Sequence, residues 1–163
     1  MKTLLLSISL LAATTCFAQK DYCKDIKKET DEFRQSVKYE SPSLGEKINV
    51  QFYRTISKGF TFNKVIVNCK SSSSDYRAKE LFLKLEDGTI LSDQANTVVD
   101  CSYISGGYYL FVAVMELDSD DIEKLTKQKI VKVRLAHEER DLTEKQQVKL
   151  QAYVPCVFAE TNK

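Results

Sequence analysis

Residues 47–69 read KINVQFYRTISKGFTFNKVIVNC. In the first half, Ile48, Val50, Phe52, Arg54 and Ile56 fall on one face of an extended chain, a period of two interrupted by a single arginine. Residues 60–69 alternate again. Phe60, Phe62, Lys64, Ile66 and Asn68 share one side; Val65, Val67 and Cys69 share the other. Between them, Ser57-Lys58-Gly59 supplies a turn in which Gly takes positive φ without steric cost. Two alternating strands joined this tightly form an antiparallel hairpin, and that sets the fold class.

Outward from the hairpin the signal repeats. Leu81, Leu83 and Leu85 form a strand, Asp87-Gly88 turns it, and Ile90-Leu91 returns. Residues 98–104 and 108–117 are two more β runs around Ser105-Gly106-Gly107. Residues 130–136 place Val131, Val133 and Leu135 on one side. Upstream, Val37 and Tyr39 alternate with polar residues until Ser41-Pro42 stops them. The charged stretch 24–34 reads as a loosely ordered arm or short helical turn, and 71–75 as a flexible loop.

Two segments carry a helical signal. In 118–129, Asp118 can cap, Asp120 and Asp121 suit the positive helix start, and Lys127 and Lys129 suit its end. Residues 143–158 read both ways. Thr143-x-x-Gln146 resembles a capping box, yet Val148, Leu150, Ala152 and Val154 alternate as a strand. Pro155 favours a helix ending near Val154. About eight hairpin-linked strands and one or two short helices predict an antiparallel β-sandwich of the immunoglobulin-like kind.

The first eighteen residues, MKTLLLSISLLAATTCFA, carry Lys2, an apolar core and small residues at Cys16 and Ala18. This is the layout of a secretory signal, with an apolar core too short to anchor in a membrane. Residues 19–163 are then the mature chain, expected as one β-sandwich domain that is secreted or periplasmic. The lesser alternative is a lipid anchor on Cys16, whose −3 to −1 residues Ala13, Thr14 and Thr15 fit that pattern poorly. Of the 24 Lys and Arg only Lys2 precedes residue 19, so the remainder balances 23 Asp and Glu. Such neutrality gives no footprint for nucleic acid, and no second apolar run reaches transmembrane length.

Several motifs recur in order: Asp31-Glu32-Phe33, Tyr39-x-Ser41-Pro42, Glu86-Asp87-Gly88-Thr89, Gly106-Gly107-Tyr108-Tyr109, Asp118-Ser119-Asp120-Asp121-Ile122 and 129–135, KIVKVRL. Together with the signal ending Phe17-Ala18-Gln19, this order resembles small secreted proteins of unknown function of the Bacteroidetes type. The resemblance spans most of the mature chain. It implies an exported domain and brings no activity with it. Such proteins often carry Thr-Gly after the Asp-x-Phe, where this chain has Arg34-Gln35.

Cys23, Cys69, Cys101 and Cys156 follow the signal and allow three pairings. Without a C-x-x-C spacing, structural disulfides are the reading, with Cys69–Cys101 and Cys23–Cys156 preferred and Cys23–Cys69 with Cys101–Cys156 competing. His137 is the single histidine and lies among Glu138, Glu139, Arg140 and Asp141, the setting of a solvated loop rather than a catalytic triad. Asp118, Asp120 and Asp121 lack the ligand and Gly that a calcium loop requires next, where Ile122 and Glu123 stand. No catalytic residue, metal or cofactor is called for.

Tyr103, Tyr108 and Tyr109 flank the Gly-Gly turn and form the candidate binding surface, since exposed aromatics stack on sugars or fill a partner's pocket. The expected function is that of an exported noncatalytic domain, a binding or envelope-associated module, with an envelope protein or a glycan as the candidate partner. The rival is a secreted hydrolase or inhibitor-like protein with a site of scattered carboxylates.

Overall fold

A computed structural model describes residues 21–73 and 80–159. The signal 1–18 with Cys16, and Ser74 and Asp75 of the Ser-rich loop, lie outside the described residues.

The chain is a two-sheet antiparallel β structure with two helices, arranged as a sandwich. A short 3-10 turn, Tyr22–Asp25, leads into β1 (Lys27–Asp31), β2 (Ser36–Glu40), β3 (Ile48–Ser57) and β4 (Phe60–Ser71). Then come β5 (Leu81–Leu85), β6 (Ile90–Leu91), β7 (Val98–Ser105) and β8 (Tyr108–Glu116). Helix α1 (Ser119–Lys127), β9 (Ile130–Leu135), β10 (Glu138–Asp141) and α2 (Glu144–Phe158) complete it. One sheet has six strands in the order β1-β2-β3-β4-β8-β7, the other four in the order β10-β9-β5-β6. Four of the five neighbouring pairs in the larger sheet are consecutive in the chain; the fifth, β4 beside β8, is reached by a crossover through β5 and β6 of the other sheet.

The hairpin that decides the fold forms as read. Lys58 and Gly59 both take positive φ, 48° and 85°, the two-residue turn whose twist matches the strands. That turn fixes the register, pairing Phe52 with Val65 and Val50 with Val67. Both pairs point inward and are buried with Phe111, Ala113 and Met115 of β8. Opposite them lie Leu81, Leu83 and Leu85 of β5 and Val133 and Leu135 of β9. Leu150, Tyr153, Val154, Val157 and Phe158 of α2 join the same core, the Phe158 ring meeting Phe52 edge-on at 5.7 Å.

Four expectations are corrected. First, the charged arm 24–34 contains β1, an edge strand paired with β2 whose backbone hydrogen bonds need no buried side chains. Second, the polar loop after His137 is β10. Ala136 takes φ 54°, and His137 sits exposed beside it at the tip of the β9–β10 hairpin. Third, α2 runs past Pro155 to Phe158. Pro155 cannot donate to the carbonyl of Gln151, but burial of Val157 and Phe158 outweighs that loss.

The fourth concerns the cysteines. Cys23–Cys156 is formed, with Cα atoms 5.1 Å apart. Cys69 and Cys101 are free thiols. Both are register partners of Phe111, one on each side of β8. Two strand spacings of about 4.8 Å separate them, beyond the ~7 Å that a disulfide spans.

Candidate functional site

Strand alternation divides the three tyrosines. Tyr109 points inward and packs against the core. Tyr103, its register partner on β7, turns to the same side, the two rings meeting edge-on at 5.6 Å. Tyr108 leaves in the opposite direction and is 52% exposed. The structure therefore does not build one patch from all three.

Tyr108 lines a cleft of about 400 Å³. Asn49 of β3 and Asn68 of β4, directly paired in the register, line it too. Asn49 Nδ2 donates to Asn68 Oδ1 at 3.2 Å. Lys47 and Lys70 also line the cleft, as do Glu138 and Arg140 of β10. The Arg140 guanidinium donates to Glu138 Oε2 at 3.1 Å. A planar aromatic face, two amides, two ammonium groups and an arginine–carboxylate pair meet in one concavity. Such a set can hold a polar, hydroxyl-rich or anionic molecule by stacking and hydrogen bonding.

Local sequence explains each placement. The Gly106-Gly107 turn, with φ 61° and 79°, reverses the chain just before Tyr108. Gly45 enables the approach of Glu46 and Lys47. Its φ is 141°, and a Cβ there would lie 1.7 Å from the Ile48 carbonyl oxygen. The acidic run is split by strand alternation. Glu138 and Arg140 face the cleft, while Lys132 Nζ holds Glu139 at 2.7 Å and Asp141 at 3.4 Å. The amide pair is absent from the residues singled out in the sequence. Counting back from the Lys58-Gly59 turn would have found it, since the turn alone dictates that Asn49 meets Asn68.

The other candidates resolve into structural parts. Asp118 is the N-cap of α1, its Oδ1 accepting the Asp121 N–H at 2.8 Å. Burial and the neighbouring Asp118 push the Asp121 carboxyl upward, and this group lies on α1, outside the Tyr108 cleft. Burial, and then the charge of Glu138, raise the Cys69 thiol to about 12, so it stays protonated. Among the described residues no helix is long and apolar enough to cross a membrane. No family model, curated protein or solved structure matches this chain.

Proposed function

We propose that this protein is an exported, noncatalytic binding module whose ligand site is the Tyr108 cleft, and that the ligand is a glycan of the cell envelope. The observation that carries this reading is the juxtaposition of the exposed Tyr108 ring with the Asn49–Asn68 amide pair and the Arg140–Glu138 pair. Sugars offer an apolar ring face and a fringe of hydroxyls, and this cleft offers an aromatic plane and a fringe of amides and charges. The Cys23–Cys156 disulfide fits an oxidising compartment. The signal at 1–18 would deliver the chain there, with cleavage after Ala18.

The test is titration of the mature protein with envelope oligosaccharides, beside Tyr108→Ala and Asn68→Ala. Binding that Tyr108→Ala weakens about tenfold, ~1.4 kcal/mol, supports the reading. Equal binding by both variants and the parent overturns it. Glu46 and Glu138 both line the cleft, which is the one observation favouring a hydrolase. New reducing ends from the bound oligosaccharide, lost in Glu138→Gln, would decide for that alternative. Mass analysis of exported protein tests localisation. A chain beginning at Gln19 is expected, and an acylated chain beginning at Cys16 would replace the signal reading with a lipid anchor.

A further inference from the structure

Of the four sheet edges among the described residues, three are blunted. β1 reads KKETD, β10 reads EERD, and β6 has only two residues. Charge and shortness are the ordinary protections against edge-to-edge pairing. β7 has neither. Its eight residues, VVDCSYIS, include one charge and no Pro, and Val98 is 67% and Tyr103 64% exposed.

Leu117 N–H donates to the Asn63 carbonyl, so the odd-numbered residues of β8 point their backbone at β4 and the even-numbered ones at β7. Their partners Val98, Asp100 and Ser102 therefore point toward β8. Val99, Cys101 and Tyr103 point their N–H and C=O groups away from the sheet. The Cys101 N–H confirms this: its acceptor is the Asp100 carboxylate at 2.8 Å, not β8.

We propose that β7 is a self-association edge, where two copies of this chain pair antiparallel about a two-fold axis at Cys101 and become joined by a Cys101–Cys101 disulfide. In this register Cys101 faces its symmetry mate as a hydrogen-bonded pair, with Cα atoms about 5.5 Å apart. That lies inside the range a disulfide bridges. Val99 faces the second copy's Tyr103, apolar against aromatic. Asp100 faces Ser102, whose hydroxyl replaces the Cys101 N–H as donor to the carboxylate. A register shifted to oppose the two Asp100 residues would set like charges together. The strand pair alone is weak, as two-stranded contacts are in water, and the covalent bond makes it persistent.

The oxidant is a low-molecular-weight disulfide such as oxidised glutathione. One Cys101 thiolate attacks it and expels a thiol, leaving a mixed disulfide. The second Cys101 thiolate attacks that sulfur bond and expels the second thiol. One S–S bond breaks and one forms. The two electrons and both protons end on the released thiols.

Purified mature protein is incubated with oxidised glutathione and its mass read without reductant. A species of twice the monomer mass is expected, reversed by dithiothreitol and wholly lost in Cys101→Ser. Register is read by mixing Val99→Cys/Cys101→Ser with Tyr103→Cys/Cys101→Ser. The mixed pair should cross-link, and Val99→Cys/Cys101→Ser alone should not. Circular dichroism of each variant beforehand restricts the comparison to folded chains. A folded parent that only acquires glutathione on Cys101, or cross-links through Cys69, overturns the proposal. Equal self-linking by Val99→Cys/Cys101→Ser overturns the register.

Discussion

Tyr108 and Tyr109 are neighbours in sequence and opposites in role, because consecutive strand residues face opposite sides. Tyr109 packs against the core and stacks edge-on with Tyr103. Truncating it to Ala should lower stability by about 2 kcal/mol, less than the ~3–5 of a fully buried ring. Tyr108→Ala should leave the melting temperature near the parent's while weakening glycan binding. Thermal melts and titrations on both variants separate the two, and a Tyr108→Ala that melts early would make it a structural residue. Glu40 offers a pH-linked test. Burial alone would raise its carboxyl. The Lys38 ammonium at 3.0 Å, the Tyr53 hydroxyl at 3.0 Å and the Gln51 amide at 2.8 Å hold it below its ordinary value. Burial and this same carboxylate push Tyr53 up to about 12. A depressed carboxyl contributes stability that is present above its unfolded pKa and is lost as pH falls through the folded one. Glu40→Gln should therefore cost about 1–2 kcal/mol near neutrality. Its penalty should shrink in acid. Denaturant melts across that range check it, and a pH-independent penalty would contradict the linkage.

At the scale of elements, Arg54 shows why a broken pattern was informative. It is the one charged residue in the inward row of β3, only 8% exposed. Its Nη1 donates to the carbonyl of Ala159, the C-cap of α2. A cation at that position answers the partial negative charge of the helix end. Arg54→Ala should thus destabilise by about 2–4 kcal/mol, through lost packing as well as the lost cap. Arg54→Met should recover most of the packing part. Equal losses in both would assign the whole effect to the cap. The elements legible in the sequence were those with a local cause. Lys58-Gly59, Gly88 and Gly106-Gly107 take positive φ, and the rows Ile48-Val50-Phe52 and Leu81-Leu83-Leu85 alternate cleanly. What stayed hidden had a distant cause. β1 and β10 are charged along their length and exist because a neighbour offers an edge. The last turn of α2 survives Pro155 only through burial of Val157 and Phe158. The separation of Cys69 from Cys101 depends on β8 lying between their strands, and the cleft depends on Glu138 and Arg140 of β10 in the other sheet reaching the same concavity as Asn49 and Asn68.

For the whole molecule, the decisive covalent feature is the Cys23–Cys156 bond, which spans 133 residues. It ties the 3-10 turn before β1 to the last turn of α2, so nearly the entire described chain lies in one loop. Around it, Tyr153 is fully buried, donates its hydroxyl to Asp25 at 3.1 Å and meets the Tyr22 ring at 6.0 Å. The turn and the helix therefore already dock without the bond, and its main effect falls on the unfolded chain. Closing a loop of this length restricts the denatured ensemble by about 4–5 kcal/mol in the simple entropic model. The double variant Cys23→Ser/Cys156→Ser should keep its near-ultraviolet dichroism, since the Tyr22–Tyr153 contact survives. Its melting temperature should fall on the order of 10 °C, from the stability-to-temperature conversion for a domain of this size. Dithiothreitol should produce the same shift in the parent and none in the variant. Loss of the aromatic dichroism at low temperature would show instead that the bond holds the turn in place, and the entropic account would fail. An unchanged melting temperature would mean that the docked tyrosines and Asp25 already restrain the termini as fully as the sulfur bond does.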